Sequence, residues 1–135
     1  MLDLTEKRHS EAVHPFVRRT LDLLPDGVLI IGSCREVVYL NDAFKQLWHI
    51  PTEIVVKGDR AMLDYVLGQL ENPETFLNAV ERLYQSSESS EDEITFNDGR
   101  VFKRRSVALE SGVSGFSRIW IFSDFTEAWS ARIDP

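Results

Sequence analysis

The stretch GFSRIWIFSDFT, residues 115–126, constrains the fold more than any other part of this 135-residue chain. Side chains alternate along an extended strand, so Trp120 and Phe122 share one face while Ile119 and Ile121 share the other. A strand that is apolar on both faces leaves no side for water. It has to lie centrally in a sheet or be covered by another element. The segment before it, EDEITF-NDG-RVFKRRSVALE, also alternates and reads as a hairpin.

Two more β-branched runs, residues 28–31 and 37–40, flank a Gly-Ser-Cys-Arg-Glu turn and form a second hairpin near the N-terminal end. Between the two groups of strands the period is helical. Asn41 or Asp42 caps a short helix, AFKQLWHI, which is halted by Pro51. A second helix is expected over residues 60–70. A third starts at Pro73 behind the capping Asn72 and carries Phe76, Leu77, Val80, Leu83 and Tyr84 on one side. Ahead of everything, Val13, Phe16, Val17, Thr20, Leu21 and Leu24 form an apolar stripe that ends in a Pro-Asp-Gly turn. Either the regular helix begins at Pro15, or an earlier helix kinks there. Strands at both ends with helices between them define an α+β domain: one antiparallel sheet with helices on a single face.

The Asn97-Asp98-Gly99 turn decides which side chains of the later hairpin face inward. A two-residue turn would set Thr95 opposite Phe102. A three-residue loop with Gly99 left-handed sets Ile94 opposite Phe102 and Glu93 opposite Lys103, separating apolar groups from charges, and is preferred. Phe102 inward then implies Arg104 and Ser106 inward. A guanidinium in an apolar interior needs a carboxylate, water or an anionic ligand. An internal pair with Asp92 or Asp124 is favoured over the ligand.

The composition excludes several classes. One cysteine, Cys34, rules out an internal disulfide and a multi-cysteine zinc site, and favours a cytoplasmic setting. Of the net charge of −7, residues 25–135 hold all the excess, with eighteen acids against eleven bases, which disfavours a nucleic-acid partner. No run is long and apolar enough for a membrane helix, so no membrane contact is expected of this segment. The run SSESSEDE reads as a solvated loop.

The order of three motifs resembles the PAS sensory family. Asp26-Gly27, then Tyr39-x-Asn41-x-x-Phe44, is similar to its first two strands and helix. DGRVFKRRS is similar to its fourth strand, and RIWIFSDFTE to its fifth with the terminal D-x-T at Asp124 and Thr126. The resemblance covers about residues 24–127. It implies a five-stranded antiparallel sheet in the order 2-1-5-4-3, with short helices forming a cavity over one face. It divides the chain into a flanking helix (1–24), the PAS domain (25–127) and the start of a linker helix (128–135). The expectation is a sensor excised from a larger signalling protein of the histidine-kinase or cyclic-dinucleotide type. It would bind a small molecule, dimerise through its N-terminal helix and relay to an absent output domain. The alternative is a ligand-free dimerisation module.

On that resemblance, the cavity is expected to involve Trp48, Tyr65, Phe76, Phe102, Arg104, Ser106, Trp120 and Phe122, with Asp124, Thr126 and Glu127 relaying the signal. No catalytic residue or metal ligand is assigned. The flavin-binding members carry N-C-R-F-L on a helix, whereas Cys34 sits in a strand-to-strand turn, which argues against a flavin–cysteinyl adduct. Haem-binding members use a histidine on the later long helix, which here has none, so haem is not expected either. His49 ends a short helix, and His9 and His14 lie outside the cavity.

Overall fold

The computed structural model describes residues 15–109 and 116–128. Five strands, β1 (Gly27–Gly32), β2 (Val37–Leu40), β3 (Ser90–Thr95), β4 (Val101–Ala108) and β5 (Phe116–Asp124), form one antiparallel sheet in the order β2-β1-β5-β4-β3. The doubly apolar strand is central, as its pattern demands. Leu29 pairs with Trp120 on one side of β5, and Ser106 pairs with Trp120 on the other. Four helices, α2 (Asp42–Leu47), α3 (Thr52–Lys57), α4 (Asp59–Leu67) and α5 (Pro73–Tyr84), connect β2 to β3. α1 (Pro15–Asp22) precedes the sheet. The stripe residue Val13 and the rest of the expected flanking segment before residue 15, residues 110–115 and the expected linker beyond residue 128 lie outside the described residues.

Two apolar clusters use the two faces of the sheet. The larger joins Trp120 and Phe122 to Phe44, Trp48, Met62, Val66, Phe76 and Phe102 beneath the connecting helices. The smaller joins Val28, Ile30, Val38 and Tyr39 to Leu21 of α1 and to Ile119. α1 therefore belongs to the opposite face from α2–α5. The Tyr39 hydroxyl fastens it further by donating to Asp22 Oδ1 at 2.5 Å.

The Asn97-Asp98-Gly99 loop has the three-residue form. Phe96 N–H donates to Arg100 O (2.9 Å), Gly99 has φ +93°, and Ile94 and Glu93 face Phe102 and Lys103. Three details differ from the sequence reading. Residues 52–57 form a helix that the β-branched run TEIVVK did not suggest, because Pro51 sets its start. α4 stops at Leu67 rather than near residue 70, since Leu70 bridges to Phe96 of the sheet. β3 begins at Ser90, inside the serine-rich run, because Asp92 is the cross-strand partner of Arg104.

Asn41 organises the first half of the domain. Its side chain is fully buried; Oδ1 accepts from Val28 N–H (2.8 Å) and Phe44 N–H (3.0 Å). Nδ2 donates to the carbonyls of Leu21 (2.8 Å) and Asp26 (3.0 Å). One amide thus joins α1, the Asp26-Gly27 turn, β1 and the start of α2, using its full bonding capacity. Gly27 is needed beside it. A Cβ there would sit 2.9 Å from Phe44 Cα, so only glycine lets α2 lie this close to β1.

Candidate functional site

A cavity of about 290 Å³ lies between the inner face of the sheet and helices α4 and α5. Its floor is Trp120 and Phe122 of β5 with Leu29 and Ile31 of β1. Phe44 and Trp48 close one end, Met62 and Val66 one wall, and Phe76, Leu77, Val80 and Tyr84 the other. Period-two alternation supplies the floor and three-to-four spacing supplies the α5 wall. Polar groups gather at one edge: Arg35 of the β1–β2 turn, Glu81 of α5, and Asp59 and Arg60 of α4.

That edge is held by charge. Arg35 Nη1 donates to both oxygens of Glu81, at 2.7 and 2.9 Å, and its guanidinium lies 4.7 Å over the Tyr84 ring. Both ion-pair partners are about half exposed, at 50% and 56%. Burial pushes the Tyr84 phenol above its ordinary value, opposed by a hydrogen bond with Trp120 and by the charge of Arg35. Asp59 Oδ2 accepts from Val37 N–H at 2.9 Å, tying α4 to β2.

Of the residues expected around the cavity, Trp48, Phe76, Trp120 and Phe122 line it. Tyr65 packs against the core from α4, and its hydroxyl donates to His49 O at 2.8 Å. Phe102 is fully buried beside Phe96, with ring centroids 4.4 Å apart. Arg104 points inward, is 1% exposed and forms a two-bond pair with Asp92 (Nε to Oδ1 2.9 Å, Nη2 to Oδ2 2.6 Å), one of the two internal partners expected from sequence. Its guanidinium stacks 4.6 Å from Phe76 and borders a separate hollow of about 180 Å³ near Asn72 and Thr75. Ser106 is also buried and accepts from Arg118 Nη1 at 2.7 Å. These four residues thus surround the cavity's aromatic end without lining it.

Arg118 was not singled out from sequence, although it lies two residues before Trp120 and so shares its face. It is 1% exposed, and its Nη2 donates to the carbonyls of Leu83 (2.9 Å) and Ser86 (3.2 Å) at the end of α5. Leu83 O also accepts from Ser86 N–H (3.1 Å), so the arginine adds a bond to the last turn of α5 and ties it, with the residue just beyond, to the sheet. Desolvation lowers its pKa. The Arg35–Glu81 edge was missed for a different reason: its partners are 46 residues apart and nothing local announces them.

The D-x-T segment closes the sheet. Thr126 N–H and Oγ1 both donate to Asp124 Oδ1 (3.0 and 2.6 Å), while Val101 N–H donates to Thr126 Oγ1 (3.0 Å). Phe125 N–H adds a bond to Val101 O at 2.8 Å. The end of β5 is thereby locked onto the start of β4, two residues beyond cavity-lining Phe122. Glu127 is exposed in the helical residues that follow, 126–128.

Cys34 is exposed in the β1–β2 turn, and His49 is exposed with φ +53° at the end of α2. Neither lines the cavity. Among the described residues no group of three or more His, Cys, Asp or Glu is placed to hold a metal, and no helix is long and apolar enough to cross a membrane.

The sheet order, the connecting helices on one face and the cavity between them define a sensory-module α+β fold. A family model described as PAS domain matches residues 16–83, half of the chain. The chain belongs to the PAS domain family. Comparison with curated proteins gives no match. Among solved structures, it is similar to the PAS domain of a Colwellia psychrerythraea protein (14% identity, 83% of this chain and 96% of that one, TM-score 0.59). It is also similar to a Haloarcula marismortui domain described as belonging to a light- and redox-sensing histidine kinase (17% identity, 82% and 97%, TM-score 0.55). A third likeness is to an RNA-binding light-oxygen-voltage receptor (15% identity, 87% of this chain and 34% of that one, TM-score 0.61). At these identities the likeness establishes the shared fold.

Proposed function

We propose that this PAS domain takes a small molecule into its cavity and relays occupancy through β5 to an output domain in a larger signalling protein. One observation carries the reading: Trp120 and Phe122 form the cavity floor, and the same strand ends in the Asp124–Thr126 clasp. A ligand resting on the floor bears on that clasp through two residues of backbone. For occupancy to signal, the ligand must bind the two arrangements of the clasp with different affinity. The histidine-kinase domain among its structural likenesses supports an output of that kind.

Native mass spectrometry and an ultraviolet–visible spectrum of the purified protein test the reading. Extra mass or a chromophore absorption supports it. A protein at its apo mass that also takes up none of a fragment panel in two-dimensional NMR refutes it.

A second reading, a dimerisation module, is favoured by the apolar surface that α1 presents, with Phe16 74% and Leu23 81% exposed. On this reading Phe16→Glu with Leu23→Glu yields a monomer in sedimentation analysis while the circular dichroism stays unchanged. Persistence of a dimer in that variant removes its basis.

A further inference from the structure

From the cavity's chemistry we infer that its ligand is an anionic amphiphile, an apolar body of roughly ten non-hydrogen atoms with its charged head at Arg35. This rests on the sensor reading above and adds the ligand class. The size follows from the volume: about 290 Å³ holds some ten atoms if each takes about the 30 Å³ of one liquid water. The body follows from the walls, which are Leu, Ile, Val, Met, Phe and Trp side chains over the floor and both flanks.

The sign of the head follows from the hydrogen-bond balance at the edge. Glu81 has both oxygens engaged, and both are taken by the single nitrogen Arg35 Nη1. The Arg35 Nε and Nη2 donors have no protein acceptor among the described residues, and the side chain is half exposed. A guanidinium carries five N–H donors in a planar fork suited to a carboxylate or phosphate. The Tyr84 ring below, at 4.7 Å, fixes the plane of that fork. The edge thus has donors to spare and no spare carboxylate on Glu81. Both carboxylates of the edge are engaged, Glu81 by Arg35 and Asp59 by Val37 N–H (2.9 Å), so a cationic head would have to break one of these contacts, whereas an anionic head can use the free side of the fork. Arg60, the other cation of the edge, is engaged by Asp64 at 3.3 Å.

Octanoate and octan-1-ol, which share an eight-carbon body, separate the head from the body. Isothermal titration calorimetry on the full chain should show octanoate binding about tenfold or more tighter than octan-1-ol, the scale of a hydrogen bond to a charged group. The preference should shrink at high salt, because Arg35 is half exposed. Arg35→Gln should bring the two affinities together. Glu81→Gln, which frees the rest of the fork and serves as a second variant if Arg35→Gln folds poorly, should tighten octanoate alone. Equal affinities in the unaltered protein, or a preference that survives Arg35→Gln, overturns the inference. Octan-1-ol binding without octanoate preference refutes the anionic head while leaving the sensor reading standing. If neither ligand binds, both readings fall.

Discussion

Replacing Asn41 with alanine removes four hydrogen bonds centred on one fully buried side chain and takes a partner from four backbone groups, of which the Leu21 carbonyl keeps its bond from Leu24 N–H (3.2 Å). Two are donors, Val28 N–H and Phe44 N–H, and two are acceptors, the carbonyls of Leu21 and Asp26. An average hydrogen bond contributes about 1 kcal/mol net, and the loss is larger when a buried partner is left without water. Water can reach the Leu21 and Asp26 carbonyls, since both residues are only partly buried, but Val28 and Phe44 are closed off. The expected destabilisation is therefore about 3 to 4 kcal/mol, a large share of the 5–15 kcal/mol typical of a domain. For a domain of this size it lowers the melting temperature by roughly 12 °C. Urea titration at constant m-value, beside calorimetry, measures it. Asn72→Ala is the internal comparison. Asn72 is exposed and caps α5 by one bond to Thr75 N–H (3.1 Å), so its loss is worth only about 1 kcal/mol. If Asn41→Ala costs no more than Asn72→Ala, the four-way junction is not what holds α1, β1 and α2 together.

Three further outcomes follow from particular contacts. Gly27→Ala puts a methyl group 2.9 Å from Phe44 Cα, backbone that cannot rotate away, and is expected to cost about 2 kcal/mol in the same titration; a neutral effect refutes the close approach. Burial and then the bond to Asp22 hold the Tyr39 phenol well above its ordinary value of 10.0, so the folded state keeps that proton longer than the unfolded state does. Its stabilisation is complete below about pH 10 and is lost as pH rises beyond that, so Tyr39→Phe should cost about 1 kcal/mol at pH 7 and flatten the alkaline decline. An unchanged slope above pH 10 would contradict this. Thr126→Val removes the clasp hydroxyl and should speed hydrogen exchange at Val101 and Phe125 while costing about 1 kcal/mol overall, and unaltered exchange at both amides would show that the clasp is not closed by Thr126.

The framework was legible because its signals are local. Alternation in residues 119–122 dictates a central strand, and Asn97-Asp98-Gly99 dictates the hairpin register that turns Arg104 inward. Asn41 and Gly27 were visible as a motif, but their reasons, a four-way amide and a 2.9 Å approach, exist only after β1 and α2 meet. The same limit hid the site. Arg104 was expected to border the cavity, yet its pair with Asp92 draws it toward β3. Phe102 is displaced from the cavity by Trp48 and Phe96, which fill the space above it. Period two applied to 120 and 122 but carried back two positions would have found Arg118. No local rule could have joined Arg35 to Glu81.

Three arginines hold α5, and they are not equivalent. Arg104 stacks on Phe76 in its first half, Arg118 donates to carbonyls at its end, and Arg35 pairs with Glu81 and covers Tyr84. Arginine suits each place because one planar group can stack on an aromatic ring and donate in its plane, which a lysine ammonium cannot do. Arg118 is 1% exposed, so pulling α5 from it leaves a buried charge short of acceptors, at several kcal/mol, whereas Arg104 would keep its pair with Asp92 and lose the stack on Phe76. The half-exposed Arg35–Glu81 pair, like other surface ion pairs, is worth about 1 kcal/mol at most. Of the three grips it is the weakest. On the proposed reading a ligand would therefore enter at the β1–β2 turn, with the far side of α5 held by Arg104 of β4 and Arg118 of β5. Entry at that edge would bring an anionic head to the free side of the Arg35 fork and the body onto Trp120 and Phe122, the cavity residues nearest the clasp.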